Sequence, residues 1–240
     1  MNNNPDSSRS PLHRLIARIG ADSWRIRLLT ALLVIPFMGL YGIANRLNGA
    51  KGSTFVFQLA IDDQIPFVPI FILPYVAWYF YITGVLLWLV FKKKTGLLLY
   101  QQVLAVCLAE MIAFVVFLVF PTYMPRPDVV DQDLFSAMVR LIYRSDFPYN
   151  CFPSMHVCLA ALSGYSLDLA GPKHPVFRLI NLFLVVLITL STVLTKQHLT
   201  PDIFGGLLLA VIAWWLALLL MRAFRQDLNP RQRASRDMKI

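Results

Sequence analysis

Six apolar runs, interrupted by short polar stretches, set the limits on what this chain can fold into. They fall at residues 28–44, 65–91, 97–120, 153–170, 175–195 and 203–221. A bilayer-spanning helix needs about 20 mostly apolar residues, so each run is a candidate span. The run at 65–91 is longer than a span requires. The run at 153–170 is the weakest, because it carries His156 and Asp168. Of the 240 residues, 58% are hydrophobic and 15% charged, against roughly 45–50% and 25% in soluble domains. That balance excludes a soluble globular chain and a disordered one. Three cysteines are too few for a disulfide-built secreted scaffold. The expected fold is all-α: a polytopic membrane protein of six transmembrane helices.

Charge gives the orientation. With the N-terminus in the cytoplasm, sixteen of the 22 Lys and Arg residues fall inside and six outside, as the positive-inside rule requires. Removing the weak fourth run would move the Arg-rich tail outside, against that rule. Six spans with both termini cytoplasmic follow. The net charge of +9 is then a topological signature, and no nucleic-acid partner is expected. Three regions result: a basic amphipathic cytoplasmic segment at 1–25 (Leu12, Leu15, Ile16, Ile19), a single membrane domain at 26–222, and a basic disordered tail at 223–240. The first apolar run starts late and has no convincing cleavage site, so no signal peptide is expected.

The unusual residues gather at the outer ends of the spans. Tyr123, Met124, Pro125, Arg126, Pro127 and Asp128 follow span three. Phe152, Pro153, Ser154, Met155 and His156 open span four, and residues 195–202 join spans five and six. Pro153 suits the first turn of a helix, and Thr200-Pro201 reads as an N-cap followed by a first helical residue. Helix N-termini attract anions, phosphate above all. Arg126, Lys196 and the Ser154 hydroxyl add to such a cradle. His198 and Asp202 stand four residues apart across a loop-to-helix junction, a spacing that lets a carboxylate orient an imidazole nucleophile. His156 is placed to protonate a leaving alkoxide. No cluster has metal-ligand spacing, so neither metal nor other cofactor is expected.

These residues resemble the motifs of the type 2 phosphatidic acid phosphatase (PAP2) superfamily of membrane lipid phosphatases and phosphotransferases. Its three motifs are Lys-x6-Arg-Pro, Pro-Ser-Gly-His and Ser-Arg-x5-His-x3-Asp. Here they read Arg126-Pro127, Pro153-Ser154-Met155-His156 and Ser191-Thr192-x5-His198-x3-Asp202, over roughly residues 55–222. The Lys of the first motif falls at Val119, the Gly of the second at Met155 and the Arg of the third at Thr192. Lys196 is a candidate replacement for one missing cation. Phe-Pro-Ser-Met-His, Lys-Gln-His and Ile65-Pro-Phe-Val-Pro69 are nearer the inositol phosphorylceramide synthase branch. The resemblance implies His198 as phosphorylated nucleophile, Asp202 as its orienter and His156 as proton donor, with Arg126, Ser154 and Lys196 binding phosphate. It implies a lipid phosphate substrate among membrane lipids, cleaved at the outer face. Water as acceptor makes a phosphatase, an alcohol makes a phosphotransferase, and a degenerate site would leave a lipid transporter. Chain length and the lack of a sorting signal point to a bacterial inner membrane, the site facing the periplasm or exterior.

Other residues are given structural roles. Glu110, mid-span, is expected to bond Asn181, Gln101 or Gln102, since the motifs lie over two helical turns outward. Asp128, Asp131, Asp133 and Asp146 read as a solvated loop. Arg140 and Arg144 read as surface charge on a short helix. Gly164, Gly205 and Gly206 read as close-packing positions, and Trp78, Trp88, Trp214 and Trp215 as packing or lipid-facing aromatics. Cys151 is expected near the outer surface, without a disulfide partner.

Overall fold

The computed structural model describes residues 23–52 and 55–227. Among these are eight α-helices: α1 Trp24–Leu32, α2 Val34–Lys51, α3 Ile72–Phe91, α4 Gly96–Val119, α5 Leu134–Ser145, α6 Met155–Ala170, α7 Pro175–Leu194 and α8 Thr200–Asp227. No strand occurs among the described residues beyond an isolated Tyr123–Tyr149 bridge. The expected amphipathic segment 1–25 lies outside the described residues apart from 23–25. Of the expected tail 223–240, residues 228–240 lie outside them too, while α8 carries the chain helically to Asp227.

Five helical segments are long and apolar enough to cross a membrane, with α1 and α2 counting as one segment of 28 residues. The break between those two has a local cause. Pro36 has no N–H to give the carbonyl of Leu32, and Leu33 N–H bonds Thr30 O at 3.1 Å instead. The long run at 65–91 is divided by the same residue type. Residues 65–68 are not helical, Pro69–Phe71 forms a 3-10 turn, and α3 starts only at Ile72. The sixth apolar helix, α6, has 16 residues, about 24 Å at 1.5 Å per residue, short of a hydrocarbon core of about 30 Å.

That short helix is the centre of the bundle. It packs against α3, α4, α7 and α8, and Val157, Cys158, Ala160 and Ser166 are fully buried. Its polar groups meet protein partners: Ser166 Oγ donates to Gln102 Oε1 at 2.6 Å, and Asn181 Nδ2 to Gly164 O at 2.8 Å. A Cβ on Gly164 would lie 2.6 Å from Val185 Cγ2, so glycine sets the α6–α7 spacing. The α4–α8 contact is built from small residues at helical spacing, Ala105, Ala109 and Ala113 against Ala210, Ala213 and Ala217, all buried. Leu179, Leu182 and Phe183 of α7 point outward, which suits a lipid-facing side. At the bundle end away from the motifs, Arg178 pairs with Asp168 at 3.0 Å.

At the motif end, α5 forms the expected short helix. Asp133 caps it by accepting from the N–H groups of Phe135 and Ser136 at 2.9 and 3.1 Å, so this exposed carboxylate is also a helix cap. Val139 of α5 is buried in a small cluster with Ile72 and Tyr75. Arg140 donates to the carbonyls of Val129 and Asp131 and thereby holds the preceding loop. Cys151 is buried rather than exposed.

Candidate active site

His198 is set by the turn between α7 and α8. The N–H groups of Gln197 and His198 both bond Thr192 O, at 2.9 and 3.0 Å. Tyr143 Oη donates to Thr195 O at 2.8 Å. Beyond the turn, Asp62 Oδ1 accepts from the N–H and hydroxyl of Thr200. The helix includes Thr200 itself, one residue earlier than the sequence suggests, and Asp62 supplies the acceptor for its first N–H.

Asp202 stands behind His198. Its Oδ2 lies 3.2 Å from His198 Nδ1 and accepts Leu199 N–H at 2.9 Å. The carboxylate is 1% exposed and the imidazole-bearing residue 7%. A carboxylate accepts only, so it places the ring proton on Nδ1 and leaves Nε2 with its lone pair. The third motif is joined directly to the second, because Ser154 N–H donates to Asp202 O at 3.0 Å. Ser154 is the N-cap of α6, its Oγ accepting from Val157 N–H at 3.4 Å. Pro153 therefore precedes the cap and is not the first helical residue. Gly206 permits this approach, since a Cβ there would lie 2.5 Å from Ser154 O and 3.1 Å from Val157 Cβ.

His156, in the first turn of α6, presents its ring to that of His198 at 5.7 Å between centroids. Tyr75 and Trp78 of α3 hold it, with centroids at 4.6 and 4.4 Å. Trp78 Nε1 also donates to His156 O at 2.9 Å, so this tryptophan positions the site and is more than a packing aromatic. Trp88 and Trp215 are exposed on the outer surface of the bundle.

Both imidazoles line one cavity of about 530 Å³, walled by α2, α3, α4, α6 and residues 145–147. Four buried polar atoms around the motifs have no protein partner: His156 Nε2, Asp202 Oδ1, Arg126 Nε and Gln197 Nε2. The latter two are N–H donors, and buried donors without partners are costly unless a ligand meets them. Arg126 is otherwise engaged. It donates to Tyr143 O at 3.2 Å, Asp146 O at 2.6 Å and Gln197 Oε1 at 2.5 Å, and it lies over the Tyr143 ring. Lys196 turns away. Its backbone is left-handed, φ 50°, and its Nζ donates to Asp62 O and Ile65 O at 3.3 and 2.6 Å. Neither Arg126, Ser154, Lys196 nor Asp202 lines the cavity itself.

Two carboxyl groups do line it. Asp146 accepts from Tyr41 Oη at 2.8 Å, and burial pushes its carboxyl above the usual range, opposed by the Tyr41 bond and by Arg126. Glu110, 3% exposed with Oε2 unpartnered, reaches the same cavity. Two of the three partners expected for it, Gln102 and Asn181, bond Ser166, Tyr81 and the Gly164 carbonyl instead. A carboxyl group in the middle of an apolar run was the available signal. Tyr75, Trp78 and Tyr79, at i, i+3 and i+4, were legible as one helical face but not as the face that holds His156. The two positions where the motif cations are missing also diverge. Val119 is 79% exposed, whereas Thr192 is buried with its hydroxyl on Thr189 O.

Residues 53–216 match the family described as the PAP2 superfamily. The chain belongs to the PAP2 superfamily. Its activity is accordingly of the phosphatase or phosphotransferase type. No curated protein sequence matches the chain. The PAP2 match begins after α2, so the cavity wall formed by Met38, Tyr41, Gly42, Asn45 and Arg46 lies outside the matched residues.

Proposed function

We propose that this PAP2 protein hydrolyses a phosphomonoester or pyrophosphate of a membrane lipid through a phospho-histidine. His198 Nε2 attacks phosphorus, the P–O bond to the lipid breaks, and His156 gives its proton to the leaving oxygen. Water then attacks the phospho-histidine, His156 takes a proton back, and inorganic phosphate leaves. The observation that carries this reading is the convergence of the Asp202-backed His198 and the aromatic-held His156 on one cavity. The unpartnered Arg126 Nε and Gln197 Nε2 favour an anionic ligand beside it. Phosphatidic acid, phosphatidylglycerol phosphate and isoprenyl diphosphates are the substrate candidates.

In this reading the chain spans the membrane six times, both termini are cytoplasmic and the site faces outward, in a bacterial inner membrane. The 16-residue α6 serves as a span because protein surrounds it, so little of its length must match lipid. Transfer to an alcohol shares every step up to the phospho-histidine. Glu110 in the cavity favours that second reading, since a carboxyl group accepts from an acceptor hydroxyl, as do the motif variants shared with inositol phosphotransferases. Purified protein in detergent, offered lipid phosphates with and without inositol beside His198→Ala, tests both. Phosphate release that vanishes in the variant is expected. A new phospho-alcohol lipid without phosphate would move the reading to transfer. Equal turnover by His198→Ala would refute both, and silence with no vanadate binding would favour a non-enzymatic lipid carrier.

A further inference from the structure

A phosphoryl group in transfer spreads negative charge over its equatorial oxygens, and catalysis depends on donors and cations placed there. The cations near the motifs are largely committed elsewhere. Three of the Arg126 hydrogen bonds go to Tyr143 O, Asp146 O and Gln197 Oε1, which leaves its Nε alone unpaired. The Lys196 ammonium is held by two backbone carbonyls outside the cavity. The cavity shared by His156 and His198 meanwhile contains two carboxyl groups, Asp146 and Glu110. Neither carboxyl group offers positive charge to a phosphate dianion, so the cavity needs a cation that faces it.

Among the described residues one Lys or Arg lines this cavity, Arg46 near the motif end of α2. We propose that Arg46 is the phosphate-binding cation of this enzyme, contributed by the first membrane segment from outside the residues that match the family. The inference rests on the phospho-histidine reading above.

Three features single out Arg46. Its side chain makes no hydrogen bond and no ion pair with any described residue, Asp146 included, so the guanidinium is available. The helix beneath it is fixed. Asn45 Nδ2 donates to Phe147 O and Tyr149 O, both at 3.0 Å, and Asn48 Nδ2 to Phe117 O and Asn150 Oδ1, both at 2.7 Å. These bonds tie α2 to the end of α4 and to the segment that runs on into Ser154 and His156. The chemistry also fits, because guanidinium presents parallel N–H donors to two phosphate oxygens and stays charged at every working pH. Val119 and Thr192, the two motif positions without a cation, cannot supply that charge, and Arg46 does so from a different helix.

The test uses the full chain in detergent, with inorganic phosphate and orthovanadate as probes of the anion site. Wild type, Arg46→Ala, Arg46→Lys, Lys51→Ala and His198→Ala are compared for KM, kcat and inhibition by each probe. Arg46→Ala is expected to raise KM and weaken both inhibitions by about 10- to 100-fold, the range for one lost charge-assisted hydrogen-bonding group. Arg46→Lys is expected to recover part of this, because charge returns without the fork. Lys51→Ala, an exposed cation on the same helix outside the cavity, is expected to match wild type. Thermal unfolding of Arg46→Ala is expected within a degree or so of wild type, as the residue is exposed and has no hydrogen bond or ion pair to lose. Wild-type inhibition in Arg46→Ala, with His198→Ala inactive, would overturn the assignment and leave the phosphatase reading intact. An equal loss in Lys51→Ala would overturn it as a general charge effect. Absence of both turnover and vanadate binding in wild type would remove the phosphatase reading, and this assignment with it.

Discussion

Gly206→Ala tests how the site is assembled. A Cβ at this position would stand 2.5 Å from Ser154 O and 3.1 Å from Val157 Cβ. A carbon–oxygen contact needs about 3.3 Å, so α8 and the start of α6 must separate by roughly 0.8 Å. Ser154 O belongs to the cap of α6 and cannot rotate away as a side chain would. Overpacking of this kind costs about 1–3 kcal/mol, which the bundle can absorb. Its effect on the chemistry is larger. Asp202 and His198 travel with α8, whereas His156 travels with α6. A misplacement of about 1 Å costs on the order of 100-fold in rate. The expected result is a folded protein whose unfolding temperature drops by a few degrees and whose kcat on lipid phosphate falls roughly 100-fold. Gly84→Ala is the control, since no atom lies within 4 Å of its added Cβ. It should keep full activity, with stability unchanged or raised by up to about 1 kcal/mol through helix propensity. A Gly206→Ala protein with lowered stability and wild-type kcat would refute the claim that this contact positions the two histidines.

Asp202→Asn replaces one carboxylate oxygen by an N–H donor and removes the negative charge behind His198, so the ring proton is no longer held on Nδ1; kcat should fall about 10⁴-fold, measured on the same lipid phosphates with KM little altered. Asp146 has its folded-state carboxyl raised by burial, so its contribution to stability is full below the ordinary Asp value of about 3.9 and is lost as pH rises through the folded value. Asp146→Asn keeps an acceptor for Tyr41 Oη without ionising, and its unfolding temperature relative to wild type should be higher at pH 7 than at pH 4; the opposite trend would show the ionised form to be favoured. In the proposed mechanism arginine and histidine meet the phosphoryl charge, so EDTA should leave turnover unchanged while orthovanadate inhibits; activity lost in EDTA and restored by a divalent ion would refute that account.

The part of the site that sequence alone made visible is the part built locally. His198 and Asp202 are joined across one helix start, and the 3.2 Å contact follows from a spacing of four residues. His156 follows its own cap by two residues. Lys196 shows where local reasoning fails. Its nearness to His198 in the chain suggested a shared ligand, but the left-handed backbone at residue 196 sends the ammonium to the 62–65 loop. Glu110, Trp78 and Arg46 come to the cavity from three other helices. Their arrival depends on which face of α4, α3 and α2 turns inward, and an apolar span has too little polar contrast to announce that face.

The same reasoning explains why the weakest of the six apolar runs is the one that opens on His156. Hydropathy measures what a helix shows to lipid, and α6 shows lipid little, because α3, α4, α7 and α8 surround it. Polar groups that would be costly in hydrocarbon are satisfied there by neighbours, as Ser166 is by Gln102. Freed from the need to be greasy, α6 can carry a histidine in its first turn and an aspartate near its end that pairs with Arg178 of α7. A dip in hydropathy between strongly apolar helices is therefore where the enclosed helix lies, and in this chain it also marks the helix that brings His156 to the cavity shared with His198.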